Sequence, residues 1–359
     1  MKKKTILALG ADIKNRALLA KGDDFYYGTD TGDLGDAGNY ESFRKGILRL
    51  LKEVKTSPDV IAYDLHPGYF STRFAKEYSV SFSSPDMRAI QHHHAHIASV
   101  MQEHGLKGPV IGVSFDGTGF GTDSNMWGGE FLVVDKSGFK RAAHLKYWRM
   151  PGGDKVVLEP WRMVLSVMGK KGAALLKGVP GEDKELVLGM LSKGVNSPLT
   201  SSAGRLFDAA AALLGACKYA SYEAEGPIKL EAMCRQDVKD TYKFSIQKRD
   251  EVYEIDTEEL FLEMASDIKQ KKDKEVIATK FHNTMVDIIV KTVKKLSKLK
   301  EINDIALSGG VFQNKYLREK VIKKLDRAGF NVFINSSSPV TDLNIALGQY
   351  YVSCGTGKN

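Results

Sequence analysis

The stretch Gln91-His92-His93-His94-Ala95-His96 concentrates four of the eight histidines of the 359-residue chain. The residues before it can continue a β-strand, and the apolar residues after it recur at helical spacing. If a helix begins near His92, then His92 and His96 project from one face, one turn apart. Two imidazoles at that spacing can hold one metal ion, so the stretch predicts a metal-binding helix.

A purely structural role is the alternative for these histidines. One or two of them could only cap the helix or pack against its neighbours. His93 shares a helix face with Ile97 and Val100, which favours a place in the core or behind the metal ligands. For His92 and His96 we favour metal binding, because a Gly-rich acidic segment follows the pair in the chain.

The composition excludes several classes of protein. Hydrophobic residues make up 43% and charged residues 27% of the chain, so we expect neither a disordered nor a membrane-spanning protein. The first residues are basic and then apolar, but Asp12 and Lys14 interrupt the apolar run, so we expect no signal peptide. The three cysteines are far apart and form no Cys-x-x-Cys motif, which predicts a reducing, cytoplasmic environment.

The net charge of +8 leaves the partners of the chain open. Much of the basic excess is lysine on predicted helices, for which a solvated face is the ordinary interpretation. Anionic partners such as nucleotides or tRNA are the alternative.

Two Gly-rich turns follow predicted strands in the first third of the chain. Residues 4–11 predict a strand that ends in a small-residue turn, where backbone N–H groups and Lys14 can contact a phosphate. Residues 110–115 predict a strand that ends at Asp116, where the carboxylate can bind metal or a metal-bound phosphate. The glycines of the following segment, 117–121, let the backbone approach a ligand closely, and 128–135 predicts the return strand of a hairpin. An ordinary hairpin without a ligand is the alternative.

A third Gly-rich turn lies near the C-terminus. An apolar run at 302–307 feeds Ser308-Gly309-Gly310-Val311-Phe312-Gln313-Asn314 and then a helix to about residue 328. A strand, two glycines and a helix form a suitable platform for a nucleotide. Asp342 begins the last helix, where it or Thr341 would ordinarily serve as the cap.

The remaining pattern predicts alternating strands and helices. Residues 31–42 look like a loop, Asp256 and Glu259 resemble a capping pair, and 165–199 is expected to be largely helical. Further helices are predicted at 41–54, from Pro160, at 201–214, from Gly226 and around 277–289; further strands are predicted at 60–63, 87–90, 142–150, within 239–255 and at 332–334. This order indicates an α/β nucleotide-binding enzyme with a metal in its cleft.

Several motifs, in one order from Leu7 to Gln349, resemble those of the HypF family, the carbamoyltransferases of hydrogenase maturation. They include the histidine stretch, Asp116-Gly117-Thr118-Gly119-Phe120-Gly121-Thr122-Asp123, Trp127-Gly128-Gly129-Glu130, Pro151-Gly152-Gly153-Asp154, Glu159-Pro160-Trp161-Arg162, Ser201-Ser202-Ala203-Gly204-Arg205-Leu206-Phe207-Asp208, Ser308 to Asn314, and Asp64-Leu65-His66-Pro67 with Ser71-Thr72-Arg73.

The resemblance is to the C-terminal domain of that family, which is related to tRNA threonylcarbamoyladenosine synthase. It implies the α/β actin-like ATPase (ASKHA) fold, with two ribonuclease-H-like lobes around a nucleotide cleft. We then expect an N-terminal lobe at 1–108 that carries the histidines, a nucleotide-binding C-terminal lobe with helical insertions at 109–340, and a final helix at 341–359 that packs back on the first lobe. The family's acylphosphatase-like, zinc-finger and adenylate-forming domains have no counterpart in the sequence, so we expect a separate protein to supply the activated carbamoyl group.

The resemblance also implies roles for individual residues. As metal ligands it implies His92, His96, Asp116 and Asp342, a set that suits divalent iron or zinc; the first three are also the expected catalytic residues. For the phosphate side of ATP, AMP or carbamoyl adenylate it implies Lys14, Asn15, Gly117 and Gly119, and for the ribose and adenine side Asp208, Glu231, Gly309, Gly310 and Asn314. One departure is Glu225, an acid where the family's Tyr-Glu-Gly-Gln-Ala-Ala has an amide.

The expected reaction is carbamoyl transfer from carbamoyl adenylate to the C-terminal Cys thiol of a HypE-type protein. Two alternatives stay open. One is an enzyme of the same fold whose acceptor is a small-molecule hydroxyl or a tRNA adenosine. The motif residues are of the HypF type, which disfavours tRNA. The other is a non-catalytic nucleotide-binding subunit, which the presence of all four expected metal ligands disfavours.

Overall fold

The computed structural model describes residues 4–81, 85–135 and 137–355. The outer ends of the first and last predicted segments, 1–3 and 356–359, lie outside the described residues, as do 82–84 and 136. No helix in the described ranges has both the length and the hydrophobicity that crossing a bilayer requires.

The N-terminal lobe is built on a five-stranded sheet in the order β3-β2-β1-β4-β5. Strands β1 to β3 are antiparallel, whereas β4 and β5 run parallel to β1. The elements are β1 (Ile6–Ala8), β2 (Leu18–Lys21), β3 (Asp24–Tyr27), α1 (Ala37–Glu53), β4 (Val60–Asp64), α2 (Phe70–Ser81), β5 (Asp86–Ile90) and α3 (His92–His104).

Helix α1 begins earlier than its sequence pattern predicts. Asp36 accepts hydrogen bonds from the backbone N–H groups of Gly38 and Asn39, so the helix starts at Ala37 and the predicted loop over 31–42 is too long. Three residues of the predicted apolar face are buried, namely Phe43, Ile47 and Leu51, whereas the fourth, Leu48, is exposed. The cap was missed because glycines next to aspartates read as a turn.

The C-terminal lobe is built on a nine-stranded sheet, whose main path is β11-β12-β8-β7-β6-β13-β14. The strands are β6 (Val110–Phe120), β7 (Met126–Asp135), β8 (Gly138–Leu145), β9 (Trp148–Arg149), β10 (Leu199–Thr200), β11 (Ser245–Arg249), β12 (Val252–Asp256), β13 (Asp304–Ser308) and β14 (Asn331–Ile334). The helices are α4 (Lys155–Leu158), α5 (Trp161–Met168), α6 (Lys170–Ala173), α7 (Gly181–Lys193), α8 (Ala203–Leu213), α9 (Glu225–Ala232), α10 (Glu258–Lys269), α11 (Lys274–Lys300), α12 (Lys315–Asp326) and α13 (Ile345–Gly355).

The strand that carries Asp116 continues past this residue. Strand β6 extends to Phe120, and its register on β7 shifts between Phe115 and Gly119. Asp116 therefore lies at an irregularity within the strand, and the predicted strand end at this residue is wrong. Such a bulge interrupts the ladder and re-aims the side chains next to it, which a strand-and-loop reading of the glycines does not anticipate.

One further local prediction is wrong. Asp256 accepts a hydrogen bond from the backbone N–H of Glu258, the first residue of α10, but the N-cap residue is Thr257, so Asp256 and Glu259 do not form the predicted capping pair. The helix predicted after the third Gly-rich turn is confirmed and begins at Lys315. A 3₁₀ turn over Gly310–Gln313 precedes it, and Asn314 caps α12 by accepting from the N–H of Leu317.

The two sheets share one topology. In each lobe three antiparallel strands are followed by two strands parallel to the first, giving β3-β2-β1-β4-β5 and β8-β7-β6-β13-β14. Helix α13 packs on α3, and a Cβ added at Gly348 would collide with the carbonyl oxygen of Ala95. Two lobes of this topology around a cleft make up the actin-like ATPase fold.

Candidate metal centre and nucleotide pocket

The predicted metal helix starts at the predicted residue. Gln91 caps α3 by accepting a hydrogen bond from the N–H of His94 at 2.8 Å. His92 and His96 then point from one face, and their ring centroids are 5.0 Å apart. Both side chains are fully buried.

Two carboxylates from distant parts of the chain face the two imidazoles. Asp116 Oδ2 lies 3.4 Å from His92 Nε2 and 3.7 Å from His96 Nε2. Asp342 Oδ1 lies 3.7 Å and 3.6 Å from the same two nitrogens. The four ligand atoms all lie within 4.8 Å of one another. Among the described residues, neither Nε2 atom has a hydrogen-bond partner. Two bare imidazole nitrogens and two carboxylates form a donor set that fits a divalent iron or zinc ion.

The other nitrogen of each imidazole is held from behind. His92 Nδ1 donates to Asp64 Oδ2 at 2.8 Å, and His96 Nδ1 donates to Asn344 Oδ1 at 3.0 Å. The direction follows because a carboxylate only accepts, and because the amide Nδ2 of Asn344 already donates to Ser308 Oγ at 3.2 Å. These contacts place the proton on Nδ1 and leave Nε2 available as a ligand. Asp64 belongs to one of the motifs that resemble the HypF family, whereas the sequence gives no signal for Asn344.

The two carboxylate oxygens of Asp116 have different partners. Its Oδ1 accepts from the N–H of Gly310 at 2.8 Å, which leaves Oδ2 for the histidines. Burial raises the pKa of Asp116, but the contacts with His92 and His96 outweigh burial and hold that pKa well below its ordinary value. Burial likewise lowers the pKa of His92, but the carboxylates of Asp342 and Asp64 outweigh burial and raise it well above its ordinary value. A metal ion binds the unprotonated Nε2 atoms, so metal binding at this cluster competes with protonation of the two imidazoles.

The two carboxylates of the cluster lie on the wall of a cleft that is open to solvent. Five residues predicted for nucleotide binding line the cleft, together with Asp116 and Asp342: Lys14, Gly117, Glu231, Gly310 and Asn314. Tyr69 and Glu223 also line it, and the sequence did not single them out as site residues.

The other four residues predicted for nucleotide binding are not on the wall formed by the described residues. Asn15 is fully buried and donates to the carbonyl oxygens of Leu9 and Ala11, so it holds its own turn together. Asp208 lies in the interior beneath the wall, and burial raises its pKa to about 6.

The glycines Gly119 and Gly309 make room for protein atoms. A Cβ at Gly119 would lie 2.7 Å from ring carbons of His92 and His93. A Cβ at Gly309, where φ is +102°, would collide with the carbonyl oxygen of Phe115. The sequence predicts that a ligand approaches both positions closely; in the structure the rings of His92 and His93 lie against Gly119, and the backbone of Phe115 lies against Gly309.

An ion pair joins the two lobes at the mouth of the cleft. Lys14 Nζ lies 3.0 Å from Glu223 Oε2, and both side chains are nearly half exposed. Burial lowers the pKa of Lys14, but Glu223 outweighs it and raises that pKa. Glu225, the departure from the family motif, instead accepts from the N–H of Ser221 and from Lys229, each at 2.6 Å. Its side chain faces its own helix and is not on the described wall of the cleft.

Comparison with known proteins agrees with this architecture. Residues 1–103 match the family model described as HypF Kae1-like domain, and residues 112–349 match the model described as carbamoyltransferase, Kae1-like domain, second subdomain. Carbamoyltransferase HypF2 of Cupriavidus necator is 32% identical over 99% of this chain and 47% of its own length. A carbamoyltransferase HypF homolog of the same organism is 34% identical over 97% of this chain and 91% of its own length.

The three-dimensional likeness is equally extensive. The crystal structure of a full-length HypF in the phosphate- and nucleotide-bound form has a TM-score of 0.93 and 36% sequence identity to this chain. The match covers 98% of this chain and 46% of that one, so the chain spans about half the length of the full-length proteins it matches. The chain belongs to the HypF family and corresponds to its Kae1-like C-terminal region.

Proposed function

We propose that this chain transfers a carbamoyl group from carbamoyl adenylate to an acceptor thiol in hydrogenase maturation. The observation that carries the proposal is the pair of buried Nε2 atoms of His92 and His96 without a hydrogen-bond partner among the described residues, which face two carboxylates on the wall of an open cleft. Membership of a carbamoyltransferase family supports the choice of group transferred.

His92, His96, Asp116 and Asp342 would hold a divalent iron or zinc ion. When bound, the ion supplies Lewis acidity and a fixed point for a phosphate or carbamoyl oxygen. The rest of the site would position the adenylate. The backbone at Gly117 and the Lys14 ammonium would face the phosphate, while Glu231 and Asn314 would face the adenosine half. Holding AMP in line as the leaving group is the contribution of these contacts to the reaction.

The nucleophile would come from outside the chain. None of the three cysteines, all in described positions, lies on the wall of the cleft or forms a disulfide bond. The C-terminal Cys of a HypE-type protein is the proposed acceptor. Its thiolate sulfur attacks the carbamoyl carbon, the bond from that carbon to the phosphate oxygen breaks, and AMP leaves with the electron pair. An adenylate-forming enzyme would supply the carbamoyl adenylate, and the reaction would take place in the cytoplasm.

Intact-mass spectrometry tests this proposal directly. The purified chain is combined with carbamoyl adenylate, made by a separate adenylate-forming enzyme, and with a HypE-type acceptor. We expect the acceptor to gain one carbamoyl group, with the gain dependent on metal and lost in His92→Ala. No gain from a chain that still binds metal and nucleotide would contradict the thiol acceptor and direct the search to small-molecule hydroxyls or tRNA.

A further inference from the structure

A second cluster of reactive side chains lies beside the cleft. Cys234 Sγ is 3.2 Å from His282 Nδ1, and His282 Nε2 is 2.9 Å from Asn314 Nδ2. The order Cys, His, Asn is that of a thiol nucleophile with its base and orienting amide. Asn314 lines the nucleotide cleft, so the cluster is in contact with the candidate site.

The direction of the hydrogen bonds excludes a nucleophile here. His282 Nδ1 is 2.9 Å from the carbonyl oxygen of Ala278, which can only accept, so Nδ1 carries the proton. Asn314 Oδ1 accepts from the N–H of Leu317 at 2.8 Å, so its Nδ2 donates to the bare Nε2 of His282. The lone pair of the imidazole therefore points at Asn314 and away from the thiol of Cys234.

The surroundings keep this arrangement fixed. His282 is fully buried, and the rings of Phe207 and Tyr316 pack edge-on against it at centroid distances of 5.2 and 5.5 Å. Burial lowers the pKa of His282 to about 4 and raises the pKa of the Cys234 thiol to about 12. Near neutral pH the imidazole is neutral and the thiol is protonated, which agrees with the hydrogen-bond directions.

We propose that His282 is a positioning residue for nucleotide recognition. By accepting one N–H of the Asn314 amide, it fixes the rotation of that amide and leaves the second N–H for the cleft. That N–H donates to an acceptor on the adenosine half of the ligand, a ribose oxygen or a ring nitrogen. The inference rests on the proposed function only in taking the ligand to be an adenosine nucleotide.

A double-mutant cycle on AMP affinity tests the inference. His282→Leu removes the acceptor, while Asn314→Ser removes the amide donors but keeps an oxygen that can cap α12. Each single variant should weaken AMP binding about tenfold, which corresponds to about 1.4 kcal/mol and is within the range expected for one lost hydrogen bond. The double variant should bind as weakly as either single one, because His282 acts only through Asn314. An unchanged Kd in His282→Leu, or additive losses of about a hundredfold, would overturn the inference.

Two further measurements cover the other outcomes. Cys234→Ala, which alters the same cluster without touching Nε2, should leave the AMP Kd and carbamoyl transfer unchanged. A carbamoyl group found on Cys234 by intact mass would overturn the inference in favour of a nucleophile. The ¹⁵N resonances of His282 in the unaltered chain should show a protonated Nδ1 and a bare Nε2, and the reverse tautomer would also overturn it, even if His282→Leu does not fold.

The two proposals fail in distinguishable ways. If the cycle behaves as expected but no acceptor is carbamoylated, the positioning role stands and the proposed reaction falls. If the unaltered chain binds no AMP, both fall.

Discussion

The two lobes repeat one strand order, yet an acid in the same place has a different role in each. Asp12 follows the first strand of the N-terminal lobe and accepts from the N–H groups of Phe70 and Ser71, at 2.6 and 2.9 Å, at the start of α2. Asp116 lies near the end of the first straight part of β6 and accepts from the N–H of Gly310, at the 3₁₀ turn that precedes α12. Strand β13 of the C-terminal lobe corresponds to β4 of the N-terminal lobe. In both lobes, therefore, an acid next to the first strand accepts hydrogen bonds from the start of the helical turn that follows this corresponding strand.

The difference lies in the second carboxylate oxygen. Asp12 directs both oxygens to one helix start and is not part of the metal cluster. Asp116 uses one oxygen in the same way and directs the other to His92 and His96. A buried acid beside a Gly-rich turn is thus a site residue only if the fold leaves one of its oxygens unused.

The corresponding strands β4 and β13 each end in a residue that supports one of the two metal-binding histidines. Asp64 ends β4 and holds His92 Nδ1, whereas Ser308 ends β13 and lies 3.5 Å from His96 Nδ1. Both residues are fully buried. The lobes therefore contribute one support each to the two histidines of α3, a charged one from the N-terminal lobe and a neutral one from the C-terminal lobe.

Replacing the acid at each first strand should give the sharpest contrast. Asp116→Asn keeps an oxygen for the N–H of Gly310 but places an amide donor against the two bare imidazole nitrogens. We expect loss of bound metal and a fall in carbamoyl transfer of more than about a hundredfold. Residues that only hydrogen-bond to metal ligands usually cost about 10- to 100-fold when replaced, so a direct ligand should cost more. Metal analysis and the acceptor mass assay measure both.

Asp12→Asn is the matched control. It loses one of two hydrogen bonds at a helix start, so we expect about 1–2 kcal/mol of lost stability in denaturant unfolding, with metal content unchanged. If Asp12→Asn also lost its metal, or Asp116→Asn kept a full complement, the distinction between the lobes would be wrong.

The charged residue that supports His92 should matter more for metal affinity than the neutral residue beside His96. Asp64→Asn can turn its amide so that an oxygen still accepts from His92 Nδ1, but without the negative charge. We expect metal affinity to fall about 10- to 100-fold, as for other supports of metal-binding histidines. Ser308→Ala should have a smaller effect, because Asn344 continues to hold His96. Titration with a competing chelator measures both, and equal losses would argue against the role assigned to charge.

The crossing of α3 and α13 joins the helices that follow the fifth strand in each lobe. Gly348→Ala would drive a methyl group into the carbonyl of Ala95, so we expect a loss of about 1–3 kcal/mol in the free energy of unfolding. Gly46→Ala in α1 is the control, because no atom lies within 4 Å of its added Cβ; it should stabilise by about 0.5–1 kcal/mol. Equal effects of the two substitutions would show that the crossing is not tightly packed.

The sequence was most informative where signals are local. The period of α3 places His92 and His96 on one face, and the helix predicted at 201–214 is confirmed as α8 with Ser202 as its cap, because helix periodicity and caps act within a few residues. The family motifs gave the actin-like ATPase fold. The repeated topology was expected only from the family resemblance, which implies two ribonuclease-H-like lobes; the sequence shows no internal repeat, because a shared strand order does not require shared residues.

The sequence was least informative where distant segments meet. Asn344 supports His96 from a separation of 248 residues, and nothing local distinguishes it from an ordinary turn residue. The glycines at 119 and 309 predict that a ligand approaches the backbone closely, but the sequence does not reveal that distant protein segments pack against them. Glu223 belongs to a quoted motif, but only the folded chain brings it to Lys14.

The ion pair between Lys14 and Glu223 gives the smallest expected effect and the most direct link between the lobes. The Glu223 carboxylate lies beside the Gly117 backbone, since a Cβ added there would be 3.6 Å from Glu223 Oε1, and so it occupies the place proposed for a phosphate. Glu223→Gln would free Lys14 and remove a competing negative charge, but the pair is half exposed and such pairs contribute about 1 kcal/mol or less. We therefore expect AMP to bind a few-fold more tightly, with the gain reduced at high salt. Glu225→Gln, two residues away and turned to its own helix, should leave the AMP Kd unchanged. Weaker AMP binding in Glu223→Gln would contradict this competition. It would mean that the Glu223 carboxylate contacts the nucleotide directly and that the bound ligand joins the two lobes.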